Sequence, residues 1–237
     1  MLEVSNLHAQ YGQSRILHGV DLTIPAGEIV SLVGRNGVGR STTLKAIVGL
    51  VQTSEGSVRV SGTELRGKRT FEIIRNGIGY VPEERDVFHN LTVEENLLLG
   101  VRKPRTGTRA WTVGEMFEFF PGLERRRLSL AGTLSGGEQQ MLTLCRSLLG
   151  NPAILLIDEP TEGLAPLIVE RLVEVIREIR NRGVTILLVE QKMTIALSIS
   201  DRVDVMGYGR IVFSGPPAEL QDNRDVQRRW LEVSDAA

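Results

Sequence analysis

The sequence predicts an α/β protein: a mostly parallel, helix-covered sheet, with an antiparallel β-segment at its N-terminus and a helical segment inserted into it. Three observations predict this. Residues 29–33, 154–157 and 184–189 are apolar almost throughout, as strands buried on both faces are, and helical stretches separate them. Residues 2–24 are short segments that alternate apolar and polar, the pattern of half-buried antiparallel strands. Residues 91–149 carry no strand pattern. A chain of 237 residues suits one large domain with an inserted subdomain. The expected division is 1–90 for the antiparallel part and the first part of the core, 91–150 for the helical insertion, and 151–237 for the rest of the core and the C-terminal helices.

In order, Leu2-Glu3-Val4-Ser5-Asn6-Leu7, Ile16-Leu17 and residues 20–24 read as strands, and residues 56–62 return to them. Pro25-Ala26-Gly27 is a turn. Residues 69–75 form a short helix closed by Asn76-Gly77, and Ile78-Gly79-Tyr80-Val81 is a core strand. Thr92 caps the next helix, with Glu95 at the capping-box position. Residues 102–109 are a basic loop, and Met116-Phe117-Glu118-Phe119-Phe120 stops at Pro121-Gly122. Residues 166–180 are a helix with Ile168, Leu172, Val175, Ile176 and Ile179 on one face, stopped by Asn181-Arg182-Gly183. Residues 203–206 and 210–213 flank Gly207-Tyr208-Gly209, a hairpin signal, and short helices at 217–220 and 226–233 end the chain.

Composition excludes several classes. Lys+Arg number 28 and Asp+Glu 29, so the basic excess of a nucleic-acid-binding surface is missing and no nucleic-acid partner is expected. Cys145 is the sole cysteine, which excludes a disulfide within the chain, fits a reducing compartment and reads as a core thiol. His8, His18 and His89 are scattered, without metal-ligand spacing. No apolar run approaches the roughly 18 residues of a membrane span. A cytoplasmic protein is expected; if it works at a membrane, another chain supplies the spans.

Three stretches carry chemistry. Gly34-Arg35-Asn36-Gly37-Val38-Gly39-Arg40-Ser41 joins an apolar strand to a helix, the context of a phosphate-binding loop. Its glycines allow backbone N–H groups to converge, and the helix N-terminus adds positive charge. Arg40 stands where the strict pattern has lysine, so an ordinary tight turn is also consistent with this stretch alone. Leu134-Ser135-Gly136-Gly137-Glu138-Gln139-Gln140 opens a second helix as another anion-binding N-terminus, or simply as a serine N-cap. Residues 154–159 end a buried strand on Asp158 and Glu159. At the carboxyl end of a parallel sheet, Asp158 can hold Mg²⁺ together with the Ser41 hydroxyl, and Glu159 can polarise a water as general base. Alternatively, Asp-Glu-Pro only begins a loop.

In this order the three motifs resemble those of the ATP-binding-cassette ATPases: Walker A at 34–41, the signature at 134–140 and Walker B at 154–159. The resemblance implies a RecA-like P-loop core with an antiparallel β-subdomain and an inserted helical subdomain, and ATP and Mg²⁺ as ligands. It also implies a head-to-tail dimer, homo- or heteromeric, in which Walker A of one subunit and the signature of the other sandwich each ATP. It further assigns Tyr11 to adenine stacking, Thr42 to the α-phosphate, Glu83 to the place of the Mg²⁺-sensing glutamine, and Gln191 to the switch position that touches the γ-phosphate. Glu162-Gly163-Leu164-Ala165 falls at the loop that crosses to the opposing subunit.

Val-Pro-Glu at 81–83, Glu-Gly-Leu-Ala-Pro at 162–166, Leu-Val-Glu-Gln at 188–191 and Gly-Glu-Gln-Gln-Met at 137–141 resemble one subgroup. It is the second, shorter ATP-binding subunit of branched-chain amino-acid importers and their amide and urea relatives. The resemblance implies integral membrane subunits, a solute-binding protein reached through them, and a place on the cytoplasmic face of the membrane. Gln191 can donate a hydrogen bond but cannot exchange a proton as histidine can, which shifts the chemistry onto Glu159. Arg40 keeps the charge of lysine in a longer, planar form, so retained ATP binding with slower hydrolysis is expected. Two other readings stay open: a non-transport cassette protein acting on nucleic acid or the ribosome, and a subunit of weak hydrolysis paired with an active ATPase.

Overall fold

The computed structural model describes residues 1–104 and 109–231. The chain opens with β1 (Leu2–Tyr11), β2 (Ser14–Ile24), β3 (Ile29–Val33) and α1 (Arg40–Ile47). β4 (Thr53–Val60), β5 (Thr63–Glu64), α2 (Thr70–Arg75) and β6 (Ile78–Val81) follow. Helices α3 (Val93–Gly100), α4 (Val113–Phe119), α5 (Pro121–Arg125) and α6 (Gly136–Leu148) come next. Alternation resumes with β7 (Ile154–Asp158), α7 (Pro166–Asn181), β8 (Thr185–Val189) and α8 (Met193–Ile199). β9 (Arg202–Gly207), β10 (Arg210–Gly215), α9 (Pro217–Asp222) and α10 (Arg224–Trp230) complete the described chain.

The strands form two sheets. The antiparallel one has the order β2-β1-β4-β5; the other runs β10-β9-β3-β8-β7-β6, parallel except for β10. Each inner parallel strand faces two cores, because its side chains alternate. From β7, Leu155 and Ile157 pack with the inserted helices, whereas Ile154 and Leu156 pack with α1 and the antiparallel sheet. β8 divides likewise, with Ile186 and Leu188 on one side and Leu187 and Val189 on the other. A third cluster joins Val33, Val203 and Val205 to α8 and α9 through Ala196 and Leu220. These two-sided strands are the unbroken apolar runs of the sequence.

Local capping agrees with the sequence at Thr92, whose side chain accepts from Glu95 N while the Glu95 carboxylate accepts from Thr92 N. Tyr208 and Gly209, with φ of 47° and 72°, turn the β9–β10 hairpin as a type I′ turn requires. Some boundaries differ. Helix α4 stops before Pro121 as expected, but Pro121 also opens a further helix, α5, in whose first turn its missing N–H costs nothing. Helix α8 had no sequence counterpart: its seven residues are too short to show a clear period. Of the basic loop expected at 102–109, residues 105–108 lie outside the described residues, as do 232 and 233 of the expected C-terminal helix. Cys145 is a core thiol, and burial pushes its pKa well up. Among the described residues, no helix is long and apolar enough to cross a membrane.

Leu156 is fully buried between the sheet and α1. Leu156→Ala is expected to cost about 2–5 kcal/mol, read as a lower urea midpoint with an unchanged slope.

Candidate functional site

Strand register gathers the candidate residues on one edge. Leu32 pairs with Val189, and Val189 with Asp158, so β3, β8 and β7 end side by side. Their C-terminal loops, which begin at Gly34, Glu190 and Glu159, therefore meet at the carboxyl end of the parallel sheet. The turn from β3 into α1 is one that glycine makes possible. Gly34 has φ 153°, and a Cβ there would lie 2.5 Å from the Met206 carbonyl oxygen; one at Gly39, φ 108°, would lie 2.9 Å from Leu17 Cδ2. Gly37 also has positive φ, at 79°, with nothing within 4 Å of its Cβ position.

Arg40 begins α1 and is buried. Its guanidinium holds three acceptors. Nη2 lies 2.7 Å from Glu159 Oε1 and 3.0 Å from Asn36 Oδ1, and Nη1 donates to the Glu190 carbonyl at 3.1 Å. A lysine has one nitrogen and could not span these positions at once. Gln191 Nε2 donates to the same Asn36 oxygen at 3.2 Å, so the expected switch position contacts the glycine-rich loop.

Ser41 Oγ donates to Asp158 Oδ1 at 2.8 Å, and Tyr80 OH reaches Asp158 Oδ2 at 3.4 Å. Asp158 is fully buried; burial raises its pKa, as do the charges of Glu83 and Glu84, while the Ser41 hydrogen bond and Lys45 oppose the rise. Glu159 is also raised, chiefly by burial, with Arg40 opposing and Glu83, Asp158 and Glu190 adding to it. Its backbone sits at φ 41°, held by a bond from its N–H to the Val189 carbonyl at 3.0 Å. Glu83 itself is exposed and acts on both carboxylates through its field.

The remaining candidates lie around this centre. Tyr11, at the end of β1, is 49% exposed and lies on the side of the site near Lys45. Thr42 follows Ser41 in α1. Residues 134–139 belong to a separate contact set. Ser135 caps α6, and the Glu138 carboxylate accepts from Ser135 N and Oγ at 2.8 and 2.9 Å. Serine cap and helix N-terminus are thus both present, and Glu138 places a negative charge there, with Arg126 at 3.6 Å. Gln139 Nε2 donates to the Ala131 carbonyl. Leu134 is buried in the core of the inserted helices. A Cβ on Gly137 would meet Leu164 of the 162–165 loop at 3.6 Å.

Two residues had escaped the sequence analysis. Arg85 donates to the Glu162 carbonyl at 2.6 Å, and a Cβ on Gly136 would collide with its guanidinium. Glu190 is 2% exposed and accepts bonds from three donors. Its signal was present: like Asp158, it is a carboxylate that directly follows a run of apolar strand residues.

A family model described as "ABC transporter" matches residues 17–162. A high-affinity branched-chain amino acid transport ATP-binding protein, BraG of Pseudomonas aeruginosa, is 42% identical, covering 98% of this chain and 99% of that one. LivF of Archaeoglobus fulgidus, a probable branched-chain amino acid transport ATP-binding protein, is 37% identical over 99% and 100%. The lipopolysaccharide export ATP-binding protein LptB of Haemophilus influenzae is 33% identical over 98% and 97%. Among solved structures, a nucleotide-free ATP-binding cassette superposes with a TM-score of 0.84 at 26% identity, covering 100% and 99% of the two chains. A cassette in its ADP conformation gives 0.80 at 26% identity, covering 96% and 97%.

The raised pKa of Asp158 makes its ionised form a cost to folding. The folded chain keeps this proton to higher pH than the unfolded chain does. The group's contribution therefore falls as pH rises from the ordinary value of 3.8 through the raised one. Asp158→Asn is expected to melt above wild type at neutral pH, with the gap closing below about pH 4. A melting temperature of the Asp158→Asn variant at or below that of wild type at pH 7 would contradict this assignment.

Proposed function

This chain belongs to the ABC transporter family, and we propose that it is the ATP-binding and ATP-hydrolysing subunit of an importer for branched-chain amino acids. The observation that carries the reading is the meeting of two contacts at the end of one sheet. Ser41 bonds Asp158 at 2.8 Å, and Arg40 pairs with Glu159 at 2.7 Å. The likeness to BraG and LivF supports the amino-acid substrate over the export role of LptB's name.

In this reading the backbone N–H groups of residues 34–41 cradle the ATP phosphates, with Thr42 at the α-phosphate. Tyr11 is exposed at a strand end, where its ring can lie on adenine. Arg40 takes phosphate oxygens in place of Glu159, and the freed Glu159 carboxylate orients the attacking water. Its upward pKa shift makes it a stronger base. Gln191 steadies the γ-phosphate by donating a hydrogen bond. Ser41 and Asp158 would hold Mg²⁺: a hydroxyl and a carboxylate are hard oxygen donors of the kind that ion takes, and they lie 2.8 Å apart. Glu83 completes the set from outside. The metal would supply neutralisation of phosphate charge.

Leu134, Ser135, Gly136, Gly137, Glu138 and Gln139 serve the ATP of a second cassette subunit, which their contact set, separate from that of Arg40, supports. Residues 91–150 act as the helical subdomain that docks the permease. A groove of about 490 Å³ between it and β6 supports this, with Phe88, Leu99 and Arg102 on its walls. Phe88 and Leu99 there are 52% and 56% exposed. The chain then works on the cytoplasmic face of the membrane, reaching a solute-binding protein only through the permease.

Glu159→Gln is expected to cut ATP turnover by about 10²–10⁴-fold, the usual contribution of a general base, while ATP still binds in equilibrium dialysis. Surviving turnover would remove Glu159 from that role. Arg40→Lys is expected to raise the ATPase rate of the purified chain; an unchanged or lower rate would count against a catalytic penalty from arginine. Co-purification with an integral membrane protein tests the transport reading.

A further inference from the structure

Glu190 has no role in the reaction derived above, yet it is among the best-connected carboxylates in the chain. It is 2% exposed and Thr161 1%. Glu190 Oε1 accepts from the backbone N–H groups of Gln191 and Lys192 at 2.8 and 2.9 Å. Its Oε2 accepts from Thr161 Oγ1 at 2.8 Å. Its own carbonyl accepts from Arg40 Nη1 at 3.1 Å. Lys192 Nζ closes the far side by donating to the Thr161 carbonyl at 3.2 Å.

Two loops that share no strand are thereby tied at one buried point. On one side is the Gln191 turn, which leads through Asn36 and Arg40 to the glycine-rich loop. On the other is Thr161, the residue before Glu162-Gly163. We propose that Glu190 is a positioning residue that couples the phosphate loop to the 162–165 loop. Arg40 pulls on the Glu190 backbone when it changes partners, and the Glu190 carboxylate carries the displacement to Thr161. A hydroxyl-to-carboxylate bond shielded from water suits this task, being short, strong and directional. The inference rests on the proposed nucleotide site, because it needs phosphates to move Arg40.

The test is hydrogen exchange read by mass spectrometry on the full chain, with and without ADP. ADP reaches the phosphate loop but lacks the γ-phosphate, so effects of ATP-driven dimer closure are kept out. In wild type, ADP should change exchange in residues 34–42 and also in 163–165, a window that leaves out Glu159, the direct partner of Arg40, and Glu162, whose N–H bonds the Glu159 carbonyl. Thr161→Val removes the single bond while keeping the side-chain shape. It should keep the response at 34–42 and lose that at 163–165, by about fivefold or more, the lower end of ordinary coupling between sites. Glu190→Gln should retain both responses, because its amide oxygen still accepts the two backbone N–H groups and its NH₂ meets the Thr161 hydroxyl. A 163–165 response that survives in Thr161→Val, or is missing in wild type while 34–42 responds, overturns the coupling. A wild type in which 34–42 itself ignores ADP overturns the nucleotide site, and the coupling with it.

Discussion

One buried guanidinium organises the functional edge of this molecule. Arg40 lies where three strand ends meet, and it joins a glycine-rich loop to both acidic loops beside it. A charge out of water is tolerable only when its donors are matched by acceptors, and removing one partner of a buried pair costs about 3–5 kcal/mol. The three loops are therefore not independent pieces of a site. Each supplies an acceptor to the same cation, so their relative positions are fixed by its planar geometry. In the function proposed here, an incoming phosphate would compete with Glu159 for Arg40.

The parallel sheet explains why such a cation can be held there. Strands buried on both faces leave their carboxyl ends as the place where the chain returns to solvent, and the returns from β3, β7 and β8 begin with Gly34, Glu159 and Glu190. Asp158, Glu159 and Glu190 follow apolar strands without a spacer. Burial raises Asp158 and Glu159, the surrounding negative charge adds to the rise, and Arg40 opposes it at Glu159 as Lys45 does at Asp158. The repulsion built into this edge is what a polyphosphate carrying divalent cations would relieve on the carboxylate side.

Much of this was legible from residue order. The two-sided strands announced themselves as unbroken apolar runs, and the inserted helices by the lack of any period-two segment from 91 to 149. Ser41 and Asp158 were paired from their places after β3 and β7, and they bond directly. What stayed hidden was partner choice. Nothing in the order of residues tells that Arg40 turns to Glu159, or that Glu190 faces Thr161, because those contacts depend on β8 lying between β3 and β7. Helix α8 was hidden for another reason: seven residues give too few turns for a period to show.

The backbone of Glu159 has a consequence for how this protein can change over generations. A left-handed conformation at φ 41° is one that glycine, asparagine and aspartate accept readily and bulkier side chains do not. Drift at position 159 is thus steered toward residues that keep the loop intact while removing or retracting the carboxylate. The backbone leans one way and the ion pair the other: losing the carboxylate would strand the buried Arg40 guanidinium, so selection for stability also guards position 159.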